Sequence, residues 1–247
     1  MPHPSNRSAI ELFVRRLARH SRLDENERQQ LLSLPTTPAQ VAAHVDFVRL
    51  GEVMQQACLV SEGLIGRFGQ TAEGKRQFVS VHVPGELIDL PSVMMPQSTT
   101  ALNALTATTI YKIEHEALRE IGFRYPAIAA AFWRDCVIDA RIVAQWLINI
   151  GRRDARSRMA HFFCELASRY RMMDQSDGSS FRLPMSQEQI ADALGLTSVH
   201  VNRTLMGLRA DKLVSFERGQ VAILDSRGLA RAGEFDPAYL AENEPPR

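Results

Sequence analysis

Apolar positions in the first 34 residues recur with a helical period. Ile10, Phe13, Val14 and Leu17 fall on one face of a segment from Ser8 to His20, and Asp24 to Leu34 reads as a second, shorter helix. From about Pro35 to Ile113 the texture changes to short β-favouring runs such as Cys58-Leu59-Val60, Leu64-Ile65 and Phe78-Val79-Ser80-Val81, punctuated by glycines at 51, 63, 66, 74 and 85. Short strands at regular spacing with turn residues between them predict a sandwich or barrel. Glu116 to Tyr125 reads as a short helix stopped near Pro126, and Ala127 to Arg152 as a long one, free of glycine and proline until Gly151.

The long helix carries Ala129, Trp133, Cys136, Ala140, Val143, Leu147 and Ile150 at alternating steps of four and three, the period of a coiled-coil seam. The stripe fits a self-pairing helix or one that packs on the chain's own barrel. Phe132, Ile138, Ile142 and Trp146, outside the seam, could cover the barrel at the same time. Asp154 to Met173 is a further helix with Met159, Phe162, Phe163, Leu166 and Ala167 on its apolar side, ended by the polar turn cluster Gln175 to Ser180. Gly233 to Arg247 is expected to be a frayed acidic tail, with four carboxylates and a Glu-Pro-Pro-Arg end.

Between Leu183 and Leu224 the pattern is most specific. Ser186 with Gln189 makes a capping box, Ile190, Ala191 and Leu194 an inward face, Gly195 a tight turn, and Thr197 a cap for a second helix to about Arg209. This is a helix-turn-helix in sequence form. Val201, Leu205 and Leu208 form its core face; Val199, Arg203 and Met206 lie roughly opposite, with Asn202 on the flank. Arginine can bond bidentately to guanine and asparagine to adenine, so this outward face suits the major groove. Leu213 to Phe216 and Val221 to Leu224 flank Glu217-Arg218-Gly219-Gln220, which predicts a β-hairpin wing.

A length of 247 residues with 45% hydrophobic content suits two ordinary domains, and a net charge of +1 gives no global signature of nucleic-acid binding. Locally, residues 153 to 231 hold 12 Lys/Arg against 9 Asp/Glu, a small excess of the right sign. Cys58, Cys136 and Cys164 are too scattered for a disulfide framework or a CxxC metal site, and read as inert core residues in a reducing compartment. No apolar run reaches the ~20 residues of a membrane span and no signal peptide is evident. A cytoplasmic protein is expected.

Ser186-Gln187-Glu188-Gln189-Ile190-Ala191-Asp192-Ala193-Leu194-Gly195-Leu196-Thr197, leading into Val201-Asn202-Arg203-Thr204-Leu205, together with Pro84-Gly85-Glu86-Leu87-Ile88, resembles the Crp/Fnr family of bacterial regulators over nearly the whole chain. The resemblance implies an α+β chain: an N-terminal β-roll (jelly-roll, cyclic-nucleotide-binding-like) with its helical lead-in over 1–125, a long dimerisation helix over 126–152, a C-terminal winged helix-turn-helix over 153–232, and a flexible acidic tail over 233–247. It implies double-stranded DNA, a second copy of the chain and RNA polymerase as partners. The family's base-contacting positions carry over to Val199, Asn202 and Arg203, with Gln187, Thr197 and Ser198 near the phosphates. Many members have glutamate where this chain has Val199, so a different operator is expected.

In members that bind cyclic AMP, a Gly-Glu turn is followed by an Arg-Ser or Arg-Thr pair. Here Gly85-Glu86 is present, but the paired positions look like Ser98-Thr99, and no arginine occurs between Arg76 and Arg119. Without that guanidinium a bidentate charged contact to phosphate is lost. Cyclic AMP is therefore not the expected signal, and the effector of this pocket is an unidentified small molecule; the cofactor is unknown. No cysteine precedes Cys58, which argues against an N-terminal iron-sulfur cluster. Two other readings stand beside this one. A metal-dependent cupin-like enzyme would need converging ligands, and His44, His82 and His115 are far apart with no His-x-His pair, so neither catalytic residues nor metal ligands are assigned. A constitutive regulator with a ligand-free scaffold roll is compatible with the altered turn.

Overall fold

The structure is a computed structural model and describes residues 6–173 and 175–241. Two helices open the chain, α1 (Asn6–His20) and α2 (Glu25–Leu32). Asp24 caps α2 and Glu27 returns the bond to the cap backbone, so two otherwise unpaired amides are satisfied. Eight strands follow: β1 (Thr37–Val41), β2 (Asp46–Val48), β3 (Gln56–Glu62), β4 (Ile65–Gln70), β5 (Arg76–His82), β6 (Leu87–Ile88), β7 (Ala101–Ala104) and β8 (Thr108–Glu114). They form two antiparallel four-stranded sheets, ordered β1-β8-β3-β6 and β2-β7-β4-β5.

The period of two along each strand explains how the first sheet serves two cores. Cys58, Val60 and Ile110 join Val48, Ile65, Ile88 and Leu102 in the interior enclosed by both sheets. Their neighbours Ala57, Leu59, Tyr111 and Ile113 face the other way, onto Ile10, Phe13 and Leu17 of α1 and Ile128 and Phe132 further along. The helical lead-in is thus part of the roll's outer core.

α3 (His115–Arg124) leads into α4 (Pro126–Arg152), with Pro126 as the first residue of the longer helix. A proline there lacks only an amide that would be unpaired anyway, so it starts α4 as well as ending α3. Two units divide within α4: one holds the chain up to Phe68 with Val81–Ala140, the other Gly69–Ser80 with Arg141 onward.

In the second unit α5 (Ala155–Met172) is the central helix, surrounded by β9 (Ser180–Arg182), α6 (Gln187–Leu194), α7 (Ser198–Ala210), β10 (Val214–Glu217), β11 (Gln220–Ile223) and α8 (Ser226–Ala232). The strands form one sheet ordered β10-β11-β9. The expected wing is present, but β9 is a third strand that the polar run before it concealed; Phe181 pairs with Val221. Arg218 and Gly219 both have positive φ, at +50° and +73°, the handedness a two-residue hairpin turn needs.

The expected frayed tail is corrected as far as Ala241. Pro237–Leu240 forms a short 3-10 turn, capped by Asp236, and Leu240 and Ala241 are buried. The cause is a polar core that composition hides: Tyr239 donates to Glu165 Oε2 at 2.7 Å, and its ring stacks on His161. Trp146 Nε1 donates to the same carboxylate and Arg169 Nη1 pairs with it at 3.1 Å. The remaining tail positions, 242–247, lie outside the described residues.

Candidate nucleic-acid interface and sensor turn

α6 and α7 are fixed at each end by local chemistry. Ser186 and Gln189 exchange the two bonds of a capping box, and Thr197 Oγ1 accepts from the His200 amide at 3.3 Å. Between the helices Gly195 lies at φ +62°, and a β-carbon there would approach Ile150 to 2.6 Å. The turn therefore needs glycine for conformation and for space. Arg158 Nη1 donates to the carbonyls of Leu194 and Gly195, and Gln77 Nε2 to those of Asp192 and Ala193. These bonds satisfy the last carbonyls of α6, which have no partner within the helix.

Val201, Leu205 and Leu208 are buried, as the helical period requires. On the opposite side Gln187, Ser198, Val199, Asn202, Arg203 and Met206 line one shallow groove of about 440 Å³. All six side chains are exposed, and Val199 at 76% and Met206 at 63% are large apolar groups that the chain itself leaves uncovered. The sequence-assigned Gln187, Ser198, Val199, Asn202 and Arg203 are thus brought together. Thr197 is exposed beside them; its oxygen serves the cap, which leaves its O–H proton as a donor. Met206 was legible on the outward face, although apolar character alone gave it no role there.

On α4 the exposed positions differ in part from the seam read from the sequence. Trp133, Ala140, Val143 and Leu147 are exposed, joined by Val137 and Ala144, while Ala129, Cys136 and Ile150 are half-buried. Cys136 leaves the stripe because it packs on the outer core of the roll. Phe132 and Ile138 are buried as expected, but Trp146 covers α5, meeting Phe162 edge-on at 5.8 Å.

In the sensor turn Gly85 has φ +93°, and its amide donates to the Val60 carbonyl. Glu86 is almost fully buried. Its Oε1 accepts from Arg16 Nη1 at 3.0 Å and its Oε2 lies 3.3 Å from His82 Nδ1. Arg16 also donates to Asp135 at 2.6 Å and Asp139 at 2.8 Å, so α1, the turn and α4 share one charge cluster. Nothing in the residue types flagged Asp135, because an aspartate on a buried helix face reads as an error of periodicity. Ser98 is buried and donates to the Thr100 carbonyl, whereas Thr99 is exposed. Thr100, not Thr99, carries the hydroxyl that meets a guanidinium, that of Arg67 at 2.9 Å.

Burial pushes the thiols of Cys58, Cys136 and Cys164 up to about 12, so they are held as neutral SH groups. Among the described residues no three His, Cys, Asp or Glu side chains gather to hold a metal, and no helix is long and apolar enough to cross a membrane. His82 is partnered with Glu86 and His115 with Ser92.

Residues 40–125 match the cyclic nucleotide-binding domain and residues 157–232 the Crp-like helix-turn-helix domain. The nitrogen fixation regulation protein FixK of Rhizobium meliloti (strain 1021) is 30% identical over 179 residues, covering 72% of this chain and 75% of the relative. The chain belongs to the Crp/Fnr family of transcription regulators. A second Crp/Fnr relative, the transcriptional activator protein FnrA of Stutzerimonas stutzeri, is 29% identical over 181 residues, covering 73% and 74% of the two chains. The solved structure of FixK2 from Bradyrhizobium japonicum shares the Crp/Fnr fold with a TM-score of 0.73 at 23% identity, over 81% of this chain and 98% of that one.

Proposed function

We propose that this Crp/Fnr regulator binds double-stranded DNA as a homodimer, sets α7 of each copy into a major groove, and reads a palindromic operator. The observation that carries the reading is the groove on α7, where Asn202 and Arg203 stand exposed beside Gln187, Ser198 and Val199 on a helix whose other face is buried. Arg203 and Asn202 supply base-edge donors, Val199 an apolar contact, and Gln187, Thr197 and Ser198 hydrogen bonds to phosphates. Trp133, Val137, Ala140, Val143, Ala144 and Leu147 supply the seam between copies, since 78% exposure of Trp133 and 70% of Leu147 leaves much apolar surface open to water. RNA polymerase is the further partner that transcription control requires. The chain has no enzymatic role in this reading.

The signal is a small molecule other than cyclic AMP. Glu86, the acidic residue of the Gly-Glu turn, is already bonded to Arg16 and His82, and the turn from Ser98 carries no arginine of its own. A second reading, a constitutive regulator with the roll as scaffold, draws on the same cluster, because Arg16 fills the acidic turn from within. Selection of bound DNA from a random pool, with and without cell extract, separates them. Enrichment of one palindrome is expected; no enriched sequence under either condition defeats the DNA-binding reading, and identical enrichment in both favours the scaffold.

A further inference from the structure

The period of two along β4 puts Arg67 on the same face as Ile65, whose side chain lies in the apolar core between the sheets. Its strand partner there is Leu102, while Ile65 pairs with Ala104. A guanidinium aimed into such an interior is desolvated and persists only when paired. Arg67 Nη2 donates to Asp89 Oδ1 at 2.6 Å and Nη1 donates to Thr100 Oγ1 at 2.9 Å, with a fifth of its side chain still exposed.

Asp89 is held in an unusual state. Its φ is +64°, in the left-handed region that only a few per cent of non-glycine residues adopt, aspartate among the more frequent of them, and it is only 9% exposed. One carboxylate oxygen takes the guanidinium; the other, Oδ2, is buried with no hydrogen-bond partner. A buried carboxylate oxygen without a donor is costly, and a site that retains one invites a donor from outside the chain. The turn that carries no arginine of its own, Ser98 to Thr100, therefore receives one from β4.

We propose that Arg67, Asp89 and Thr100 form an oxyanion site in the roll, for a small molecule that carries both an oxyanion and an O–H or N–H donor. A phosphate monoester and a hydroxycarboxylate share that chemistry. The oxyanion takes the Arg67 fork and the Thr100 hydroxyl, and the donor takes Asp89 Oδ2. Without ligand, Asp89 Oδ1 occupies the fork as an internal substitute. Any consequence for transcription rests on the DNA-binding reading above; the site does not, so it is tested without DNA.

The experiment is calorimetry on the full chain with inorganic phosphate and glycolate as probes, comparing Asp89→Asn with the double variant Arg67→Gln/Asp89→Asn. The single variant keeps the side-chain shape but removes the charge that competes for the guanidinium; the double variant removes both charges and so leaves no buried ion unpaired. One probe site per chain is expected in Asp89→Asn, severalfold tighter than in the parent, and weakened by about tenfold or more in the double variant. The preferred probe separates a phosphoryl from a carboxylate source. Absence of saturable binding in the parent chain or in Asp89→Asn, or equal binding in Asp89→Asn and the double variant, overturns the site, whatever the selection of bound DNA returns.

Discussion

Arg16 Nε lies 2.6 Å from Asp135 Oδ1 in a cluster that ties α1 to α4 and to the Gly85-Glu86 turn. Both side chains are almost fully buried, so the pair is worth most when it is broken. Arg16→Met leaves Asp135 and Glu86 without their cation, and a loss of about 3–5 kcal/mol is expected in urea denaturation. Burial alone would raise the Asp135 carboxyl, but Arg16 beside it prevails and holds it below the usual range. The pairing thus stabilises fully above the unfolded carboxylate value of about 3.9 and is lost as pH falls through the lower folded value. In Arg16→Met, acid unfolding followed by circular dichroism should begin at higher pH. An unchanged acid transition would show that the cluster is not the tie between these elements.

His161 gives the second unit a pH dependence of the same sign, set in a higher window. Burial lowers its imidazole to about 4, with Arg153 adding to the effect. Its Nδ1 faces the Gly233 carbonyl at 3.1 Å, which can only accept, so the neutral ring carries its proton there. The unfolded chain takes up a proton near ~6.5 and the folded one only near about 4, so stability should decline between those values as pH falls and level off below. His161→Phe keeps an aromatic ring against Tyr239 and should flatten that decline in urea midpoints measured across the window. Retention of the full slope would assign it to another group.

The legible parts of this chain are those where one residue's neighbours in sequence decide its environment. The caps at Ser186 and Thr197, the glycine turn at 195 and the buried face Val201, Leu205 and Leu208 depend on spacing within a few positions, and all are found where the pattern put them. The missed features join residues far apart. Arg16 meets Asp135 across 119 positions, Arg67 meets Thr100 across 33, and Tyr239 meets Glu165 across 74. Periodicity sees Arg16, Asp135, Arg67 and Glu165 as lone polar residues on apolar faces, and it says nothing of Thr100 and Tyr239, which lie outside the strands and α-helices. The same limit explains the seam on α4: a strict four-three count includes Cys136 and omits Val137, because only packing of the roll on that helix decides which of the two faces outward.

The exposed stripe on α4 predicts the outcome of a single charge. Leu147 is 70% exposed, and Val143 on the same helix is exposed as well. In a parallel pair each would lie near its symmetry mate, so Leu147→Asp and Val143→Asp would set two carboxylates together in an apolar seam. Both variants should sediment as monomers at concentrations where the parent is a dimer. Since neither side chain belongs to the chain's own core, the fold should survive, with an unchanged far-ultraviolet spectrum. A dimer that persists in both variants would move the interface elsewhere.

Operator reading turns on Arg203 and Val199, one helical turn apart on the open face of α7. Arg203 lies close enough to the start of α7 to reach a base edge once that end enters the major groove. A bidentate bond to guanine contributes ~1–3 kcal/mol of discrimination, so Arg203→Ala should cost about that much per half-site and relax one symmetric position. Val199 offers only methyl groups, which pack on the thymine methyl but cannot accept from the cytosine amine. Val199→Glu supplies that acceptor and should move preference from thymine toward cytosine at one pair of positions in half-sites ~34 Å apart. Affinities for a series of operators, each changed at one base pair, measure both effects at fixed salt. A uniform loss across the series in Arg203→Ala would make the residue a phosphate contact, because a phosphate bond carries no sequence information; α7 would then lie across the backbone and not in the groove.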